Sequence, residues 1–584
     1  MHYHLERTLL VALAAATLAC GSDPAATTGG TDASDTSTAT DGTAADATAD
    51  ATADAVKDDA AGADTATSDV GSCSVQSSSE VGVVVTQRGL VRGKQDGNSM
   101  AWLGIPFAAP PVGDLRWRAP QPHTCWSGIR DALAFGAKCP QLDGKTGQPE
   151  GDENCLTLNV FAPIGAFKKP LPVLVFIHGG GNVQGSAAET VLGGRPMYGG
   201  QHLAETGPAV VVTVQYRLGP LGWLALPELT AEGAAKSGNY GLKDQLAALQ
   251  WVQANIGGFG GDPKEVLVFG ESAGAVNTCA LVASPAAKGL FRAALMESGA
   301  CVQPKQEGAE SAHAARVAQG SCAKAADRLA CLRALPAAKL LAELGGSIGI
   351  GEAGFTPDPG KYGPVVDGAL LPLSPLDALK AGKANPVAFA VGCNSEELAK
   401  LLVVTVATEA ELQAALAAGF GTLGGDALAK VQAMYAAGKY PTPQDALVAA
   451  YSDVRFVCPT RSIARAAVQG GNPNVWRYYF TRQAPSAKGP VAAAHGIELL
   501  YVFGSIGDIL GYKPAAADVA LSTSVMGYWA RLAGLGNPNG GGAPEWPTYT
   551  AAGDPFLQLG DTVAAGSGVR TAECDLWASL IPGY

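Results

Sequence analysis

Short Val-rich runs bounded by turn residues alternate along this chain with stretches of helical pattern, and that alternation limits the fold more than any other feature. Strands are predicted at Val173 to Ile177, Ala209 to Val214, Val266 to Phe269, Ala293 to Met296, Val387 to Val391 and Val475 to Phe480. Helices are predicted at Leu242 to Asn255 and Ala273 to Val282. Strands that are apolar on both faces and separated by helices describe a mostly parallel central sheet flanked by helices, so the fold class is α/β. No second linker interrupts Cys73 to Tyr584, which reads as one large domain. Its helical and loop-rich stretches, about 300 to 385 and 400 to 465, are expected to cover one end of the sheet.

Charge divides the chain at the same boundary. The net charge is −12, but residues 21 to 72 hold eleven Asp and one Lys, which leaves only −2 for everything from Cys73 onward. A nearly neutral body offers no basic face to a phosphate backbone, so nucleic acid is not an expected partner. The segment 20 to 72 is Ala, Thr, Asp, Ser and Gly without an aromatic residue. It cannot bury enough apolar surface to offset its ordering entropy, and it is predicted to be a disordered tether. Residues 1 to 19 read as a signal peptide, with an apolar run from Thr8 too short to span a bilayer. The run ends at Thr17-Leu18-Ala19-Cys20, which resembles a bacterial lipobox with Thr17 where Leu is usual, and makes Cys20 the lipidation candidate. That resemblance implies an outer-membrane or cell-surface lipoprotein, held to the membrane only by its anchor; the alternative is a periplasmic or secreted protein.

Twelve cysteines in an exported chain point to disulfides. Cys139 with Cys155, and Cys322 with Cys331, are close enough in sequence for local bridges. With Cys20 lipidated, eleven remain and at least one is free. No Cys or His spacing suggests a metal site, and no cofactor is implied.

Gly270-Glu271-Ser272-Ala273-Gly274 matches the Gly-x-Ser-x-Gly pattern, which chance supplies about half a time in a chain this rich in Gly and Ser. Gly345-Gly346-Ser347-Ile348-Gly349 matches it too. Context separates the two, because a nucleophile elbow needs a strand running into the Ser and a helix leaving it. Ser272 has both. Ser347 follows a helical stretch and leads into more glycines, so it is read as a loop. Upstream, the strand ending at Ile177 runs into His178-Gly179-Gly180-Gly181, a turn whose bare N–H groups can approach an oxyanion, joined by the N–H of Ala273. Of the seven histidines, His2 and His4 leave with the signal, His123 lies in a Pro-rich stretch, and His202 and His313 lie in helical surface patterns. His178 belongs to the glycine turn. His495, in a loop after the strand Val475 to Phe480, is left as the base. It must be neutral to accept a proton, so the rate is expected to rise with pH through a pKa near 7.

Further motifs extend the pattern. Phe259-Gly260-Gly261-Asp262-Pro263 leads into the Ser272 motif, and Glu153-Asn154-Cys155-Leu156-Thr157-Leu158-Asn159-Val160 precedes it, with Asn154 where Asp is usual. Gly104-Ile105-Pro106-Phe107-Ala108, Asn239-Tyr240-Gly241-Leu242-Lys243-Asp244-Gln245 and Pro364-Val365-Val366-Asp367-Gly368 follow suit. In these motifs the chain resembles the carboxylesterase type B and cholinesterase family of α/β-hydrolases over residues 80 to 584. The resemblance implies a serine carboxylesterase that acts on a small-molecule ester through an acyl-enzyme, with a triad of Ser272, Glu397 and His495 and oxyanion donors at Gly180, Gly181 and Ala273. Glu396, beside Glu397, falls where the family has a structural Asp. The resemblance also implies bridges Cys139 to Cys155, Cys322 to Cys331 and Cys458 to Cys574. Cys73 then has Cys125 as a candidate partner, while Cys301 has both Cys279 and Cys393. Cholinesterases hold a quaternary ammonium on a Trp inside the first bridge, yet Pro140 to Asn154 has no aromatic residue, so choline esters are not expected. Asn182, where Phe is frequent, suggests an altered pocket. The alternatives are a lipase for longer acyl chains and a non-catalytic adhesion or binding protein on the same fold. The oligomeric state is not legible.

Overall fold

The computed structural model describes residue 73 and residues 77–190, 196–233, 236–346, 358–483, 490–509 and 513–581. The predicted leader, the tether, Cys20 and Ser347 lie outside these residues.

Eleven strands form the main sheet: β1 (Lys94–Asp96), β2 (Ser99–Pro106), β3 (Thr157–Pro163), β4 (Leu171–Ile177), β5 (Val210–Val214), β6 (Gly261–Glu271), β7 (Ala293–Glu297), β8 (Ala388–Asn394), β9 (Val475–Phe480), β10 (Pro555–Leu559) and β11 (Val563–Ser567). Their spatial order is β11-β10-β9-β8-β7-β6-β4-β5-β3-β2-β1. From β5 to β10 every neighbouring pair is parallel. The two ends are antiparallel: β3 pairs with β5 and β2, and β11 pairs with β10. All six predicted strands fall in the parallel block. The remaining strands are not predicted, because none of them carries a continuous Val-rich run; even β3, buried from Thr157 to Ala162, is broken by Thr157 and Asn159.

Side chains alternate across the sheet and feed two cores. Val173, Val175 and Ile177 face one core with Val266 and Val268, while Leu174 and Phe176 face the other with Leu267 and Phe269. Helices α1 (Tyr240–Asn255) and α2 (Ala273–Ala283) close the first core through residues such as Leu249 and Leu281. A third helix of the sheet layer, α3 (Ala516–Leu535), closes the second through Val525, Trp529 and Leu532. A separate apolar cluster, with Leu416, Phe420, Tyr435 and Trp577, gathers the helices of the 400 to 465 insertion beside the end of β8.

Five disulfides brace the loops. Cys139–Cys155, Cys322–Cys331 and Cys458–Cys574 pair as the family resemblance implies. Cys73–Cys125 and Cys279–Cys301 settle the open pairings, and Cys393 is left as a buried thiol. The Cys139–Cys155 loop is worth about 3 kcal/mol in the loop-entropy account. Bonds of this number are usual in an oxidising, extracytoplasmic compartment. No helix among the described residues is long and apolar enough to cross a membrane.

Candidate active site

At the end of β6 the chain reverses sharply. Ser272 takes φ 56° and ψ −118°, a backbone region that costs a non-glycine residue roughly 1–3 kcal/mol. Two hydrogen bonds hold it there: Ser272 N donates to Glu297 O at 2.9 Å, and Val276 N donates to Ser272 O at 3.0 Å. Helix α2 starts at the next residue and lies directly on the end of β4. A Cβ on Gly274 would sit 2.0 Å from Ile177 O, so the close approach of helix and strand needs glycine.

The end of β4 supplies the opposite edge. Gly180 has φ 101°, and a Cβ there would lie 2.2 Å from Gln184 O. Its carbonyl accepts from Val183 N and Gln184 N, both at 3.1 Å, which fixes the turn. The N–H groups of Gly180, Gly181 and Ala273 donate to no acceptor among the described residues. His178 lies beneath, stacked on Tyr216 at 4.5 Å, and burial lowers its pKa to about 4, so it stays neutral and structural.

His495 is carried on a turn after β9. Its backbone N donates to Glu397 O at 2.9 Å, and its Nδ1 lies 2.6 Å from Glu397 Oε2. Glu397 is fully buried at the end of β8, where its Oε1 accepts from Ser298 Oγ at 2.6 Å and Asn394 N at 2.7 Å. Glu396 points elsewhere: its Oε2 accepts from Gln483 Nε2 at 2.8 Å and Ala493 N at 3.0 Å. Phe456 packs on the imidazole at 4.8 Å.

The other ring nitrogen, Nε2, makes no hydrogen bond and lies 3.1 Å from Glu271 Oε1. Burial lowers the pKa of His495, but Glu271 and Glu397 outweigh it and hold the pKa at about 9. This is above the value near 7 expected from a lone loop histidine, because the sequence does not reveal that two carboxylates converge on one ring. Burial also raises Glu271 to about 7. Two more buried carboxylates belong to this group: Glu498 also raises the pKa of His495, and burial, Glu498 and Glu271 together raise that of Glu297. Glu297 accepts from Trp529 Nε1 at 2.8 Å, and Glu498 accepts from Asn394 Nδ2.

Ser272, His495 and Gly180 all line one cavity of about 250 Å³. Its wall is unexpectedly polar, with Lys138, Glu150 and Glu189 among its residues. Asn182 does not line it. That side chain is buried and exchanges hydrogen bonds with Asn277 on α2, so it braces the elbow and leaves the wall to others. His313 departs from its predicted surface position: it is 1 % exposed, and its Nδ1 accepts from Ala225 N at 3.0 Å. Glu271, Ser298 and Lys138 are the site residues that sequence reasoning missed. Glu271 lay in the variable position of the serine motif, where the pattern gave no reason to weigh it. Among the described residues no group of three His, Cys, Asp or Glu side chains is arranged to hold a metal ion.

The site can present a serine hydroxyl to a carbonyl carbon, free N–H donors to the oxygen of that carbonyl, and an imidazole oriented by a carboxylate beside them. Known proteins share this frame. A model of the carboxylesterase family matches residues 80–577. The para-nitrobenzyl esterase of Bacillus subtilis is 36 % identical over 481 residues, 80 % of this chain and 92 % of the relative. Human carboxylesterase 5A is 35 % identical over 537 residues, 85 % of this chain and 89 % of the relative. A solved structure of a thermophilic PNB esterase superposes with a TM-score of 0.71 at 33 % identity, covering 85 % of this chain and 99 % of the other. The chain therefore belongs to the carboxylesterase family of α/β-hydrolases and is a carboxylic ester hydrolase.

Proposed function

We propose that the enzyme cleaves small-molecule esters through an acyl-enzyme on Ser272. The observation that carries this reading is the contact of His495 Nδ1 with Glu397 Oε2 at 2.6 Å, with the serine elbow and the far side of the ring opening into one cavity. Glu397 fixes the tautomer in which Nδ1 carries the proton and Nε2 is free to accept one. Ser272 Oγ attacks the carbonyl carbon as Nε2 takes its proton, and the N–H groups of Gly180, Gly181 and Ala273 receive the developing negative oxygen. The imidazolium then protonates the departing alcohol oxygen. Water repeats the sequence on the acyl-enzyme, releasing the acid and restoring Ser272.

A short-chain nitrophenyl ester tests the reading in stopped flow. A burst of nitrophenol equal to the enzyme concentration, absent in Ser272→Ala, is expected. A burst retained in Ser272→Ala would move the nucleophile elsewhere.

The polar wall favours short or polar esters over long acyl chains, and a chain-length series separates this enzyme from a lipase. Export as a lipoprotein acylated at Cys20 is part of the same proposal. Its support is the lipobox-like Thr17-Leu18-Ala19-Cys20 and the five disulfides, and the mass of the N-terminal peptide from membranes tests it.

A further inference from the structure

The segment that leaves β7 touches the nucleophile and the acid in two successive residues. Glu297 O accepts from Ser272 N at 2.9 Å. Ser298 then donates its N–H to Gly392 O at 2.8 Å and its hydroxyl to Glu397 Oε1 at 2.6 Å. Ser298 has φ 57° and Ser272 has φ 56°, so the hydrogen bond from Ser272 N joins two residues whose backbones persist only where neighbours hold them. Gly299 follows, packed so tightly on the elbow that a Cβ there would lie 2.5 Å from Ala275 Cβ and 3.0 Å from Ser272 O.

Cys301, just beyond, is bonded to Cys279 on α2. This is not one of the three bridges that the family resemblance implies. Both cysteines are buried, and Cys279 stands about two helical turns beyond Ser272. The bond therefore closes a ring: elbow, α2, bridge, strap 297–301, and back to the elbow through Glu297 O and Gly299. Cys301 O accepts from Leu376 N at 3.0 Å, and the chain then runs out to Val302, which is 44 % exposed, so the bridge pins the strap at its last buried residue. Ser272 starts α2, while the Glu397 carboxylate that orients His495 hangs on the strap through Ser298. Any slip of α2 against the strap would move the nucleophile relative to its base, and reaction rate is steeply sensitive to such slips.

We propose that the Cys279–Cys301 bridge and the strap it closes form a positioning device, which keeps the Ser272 hydroxyl aligned with the His495–Glu397 pair. This rests on the reading of Ser272 as nucleophile. Lys138, Glu150 and Glu189 of the cavity wall lie on other segments, so the device should govern the rate of acylation and not the hold on the ester. The test measures the nitrophenyl ester burst well below the unfolding transition, because a bridge that only stabilises the fold would leave that rate unchanged. Two paired variants are compared with the native enzyme: Cys279→Ala with Cys301→Ala, and Cys279→Val with Cys301→Ala, which refills much of the space without the bond. Both should acylate about tenfold more slowly at saturation, with the ester concentration at half-maximal burst rate changed by about twofold or less. Removing the Cys322–Cys331 bridge of the 300 to 385 insertion should leave the burst rate unchanged. Gly299→Ala, with both cysteines in place, should also slow acylation and carries the test where the bridge-less forms do not fold. A native burst rate in the folded bridge-less forms, or in Gly299→Ala where they do not fold, overturns the proposal. So does recovery of the native rate in the Val and Ala pair, or an equal loss from removing Cys322–Cys331. Ser272→Ala is measured alongside: a burst retained there overturns the nucleophile itself, whereas a burst lost there and unchanged in the bridge-less forms overturns the positioning device alone.

Discussion

The floor of the cavity around Ser272 is made by backbone, whereas its wall from Lys138 to Glu189 is made by long, partly exposed side chains. On the floor, Ser272 is held in an unfavourable conformation by bonds to Glu297 O and Val276 N, and Gly274 has no room for a methyl group. Glu397 makes four hydrogen bonds of 2.9 Å or less with three neighbours, Ser298, Asn394 and His495, the last through both its ring and its backbone N. On the wall, Lys138, Glu150 and Glu189 are between 24 and 33 % exposed and meet through ion pairs longer than 3.2 Å. The floor fixes where a carbonyl must sit for reaction, and it tolerates little change. The wall, made of partly exposed side chains, can be rebuilt one side chain at a time.

Substitutions should divide along that line. The largest effect is expected at the nucleophile: Ser272→Ala should lower kcat by about 10⁵- to 10⁶-fold with the fold retained by circular dichroism. Next comes the partner of the base. Glu397→Gln should cost about 10³- to 10⁴-fold in kcat with little change in KM, because the imidazole loses its tautomer and its counter-charge. Glu396→Gln should cost about tenfold at most, since that side chain serves Gln483 and Ala493. The reverse ranking would exchange the roles of the two residues.

A smaller effect sharpens the electrostatics of the floor. In the proposed mechanism His495 must be neutral to accept the serine proton, and Glu271 and Glu397 raise its pKa to about 9 against the effect of burial. The acid limb of kcat/KM should therefore lie above the ordinary histidine range, with activity rising as pH increases through it. Glu271→Gln removes one of the carboxylates and should move that limb down by about one pH unit. An unmoved limb would show that Glu271 does not govern the base. The smallest change belongs to the wall. Lys138→Met should alter kcat/KM for a neutral acetate ester by about threefold or less, since its exposed ion pairs each contribute little. A loss of a hundredfold would show that the wall also supports the reaction centre.

The same division decides how much was legible in the sequence. The parallel strands could be read because strands buried on both faces must be continuously apolar, as in Val173 to Ile177. Strand β8 is predicted to end at Val391 but runs on to Asn394, with Gly392 in the ladder opposite Tyr478. The strand and helix on either side of Ser272 were legible, and elimination led to His495, whose contact with Glu397 the fold supplies, even though one histidine set aside as a surface residue, His313, is buried. Ser298 was not legible: it is 99 residues from Glu397, and only the fold brings its hydroxyl to that carboxylate. Lys138 was not legible for the same reason. Its partners lie on two different segments, and nothing in a single run of sequence marks an ion pair between them.

The most direct test of the central claim is stoichiometric labelling with an organophosphate, followed by peptide mass mapping. An activated serine facing free N–H donors attacks such a phosphorus centre, so the account predicts one adduct per chain, on Ser272, with activity lost in proportion to labelling. Inactivation with the adduct on Ser347, or with no adduct on Ser272, would contradict it.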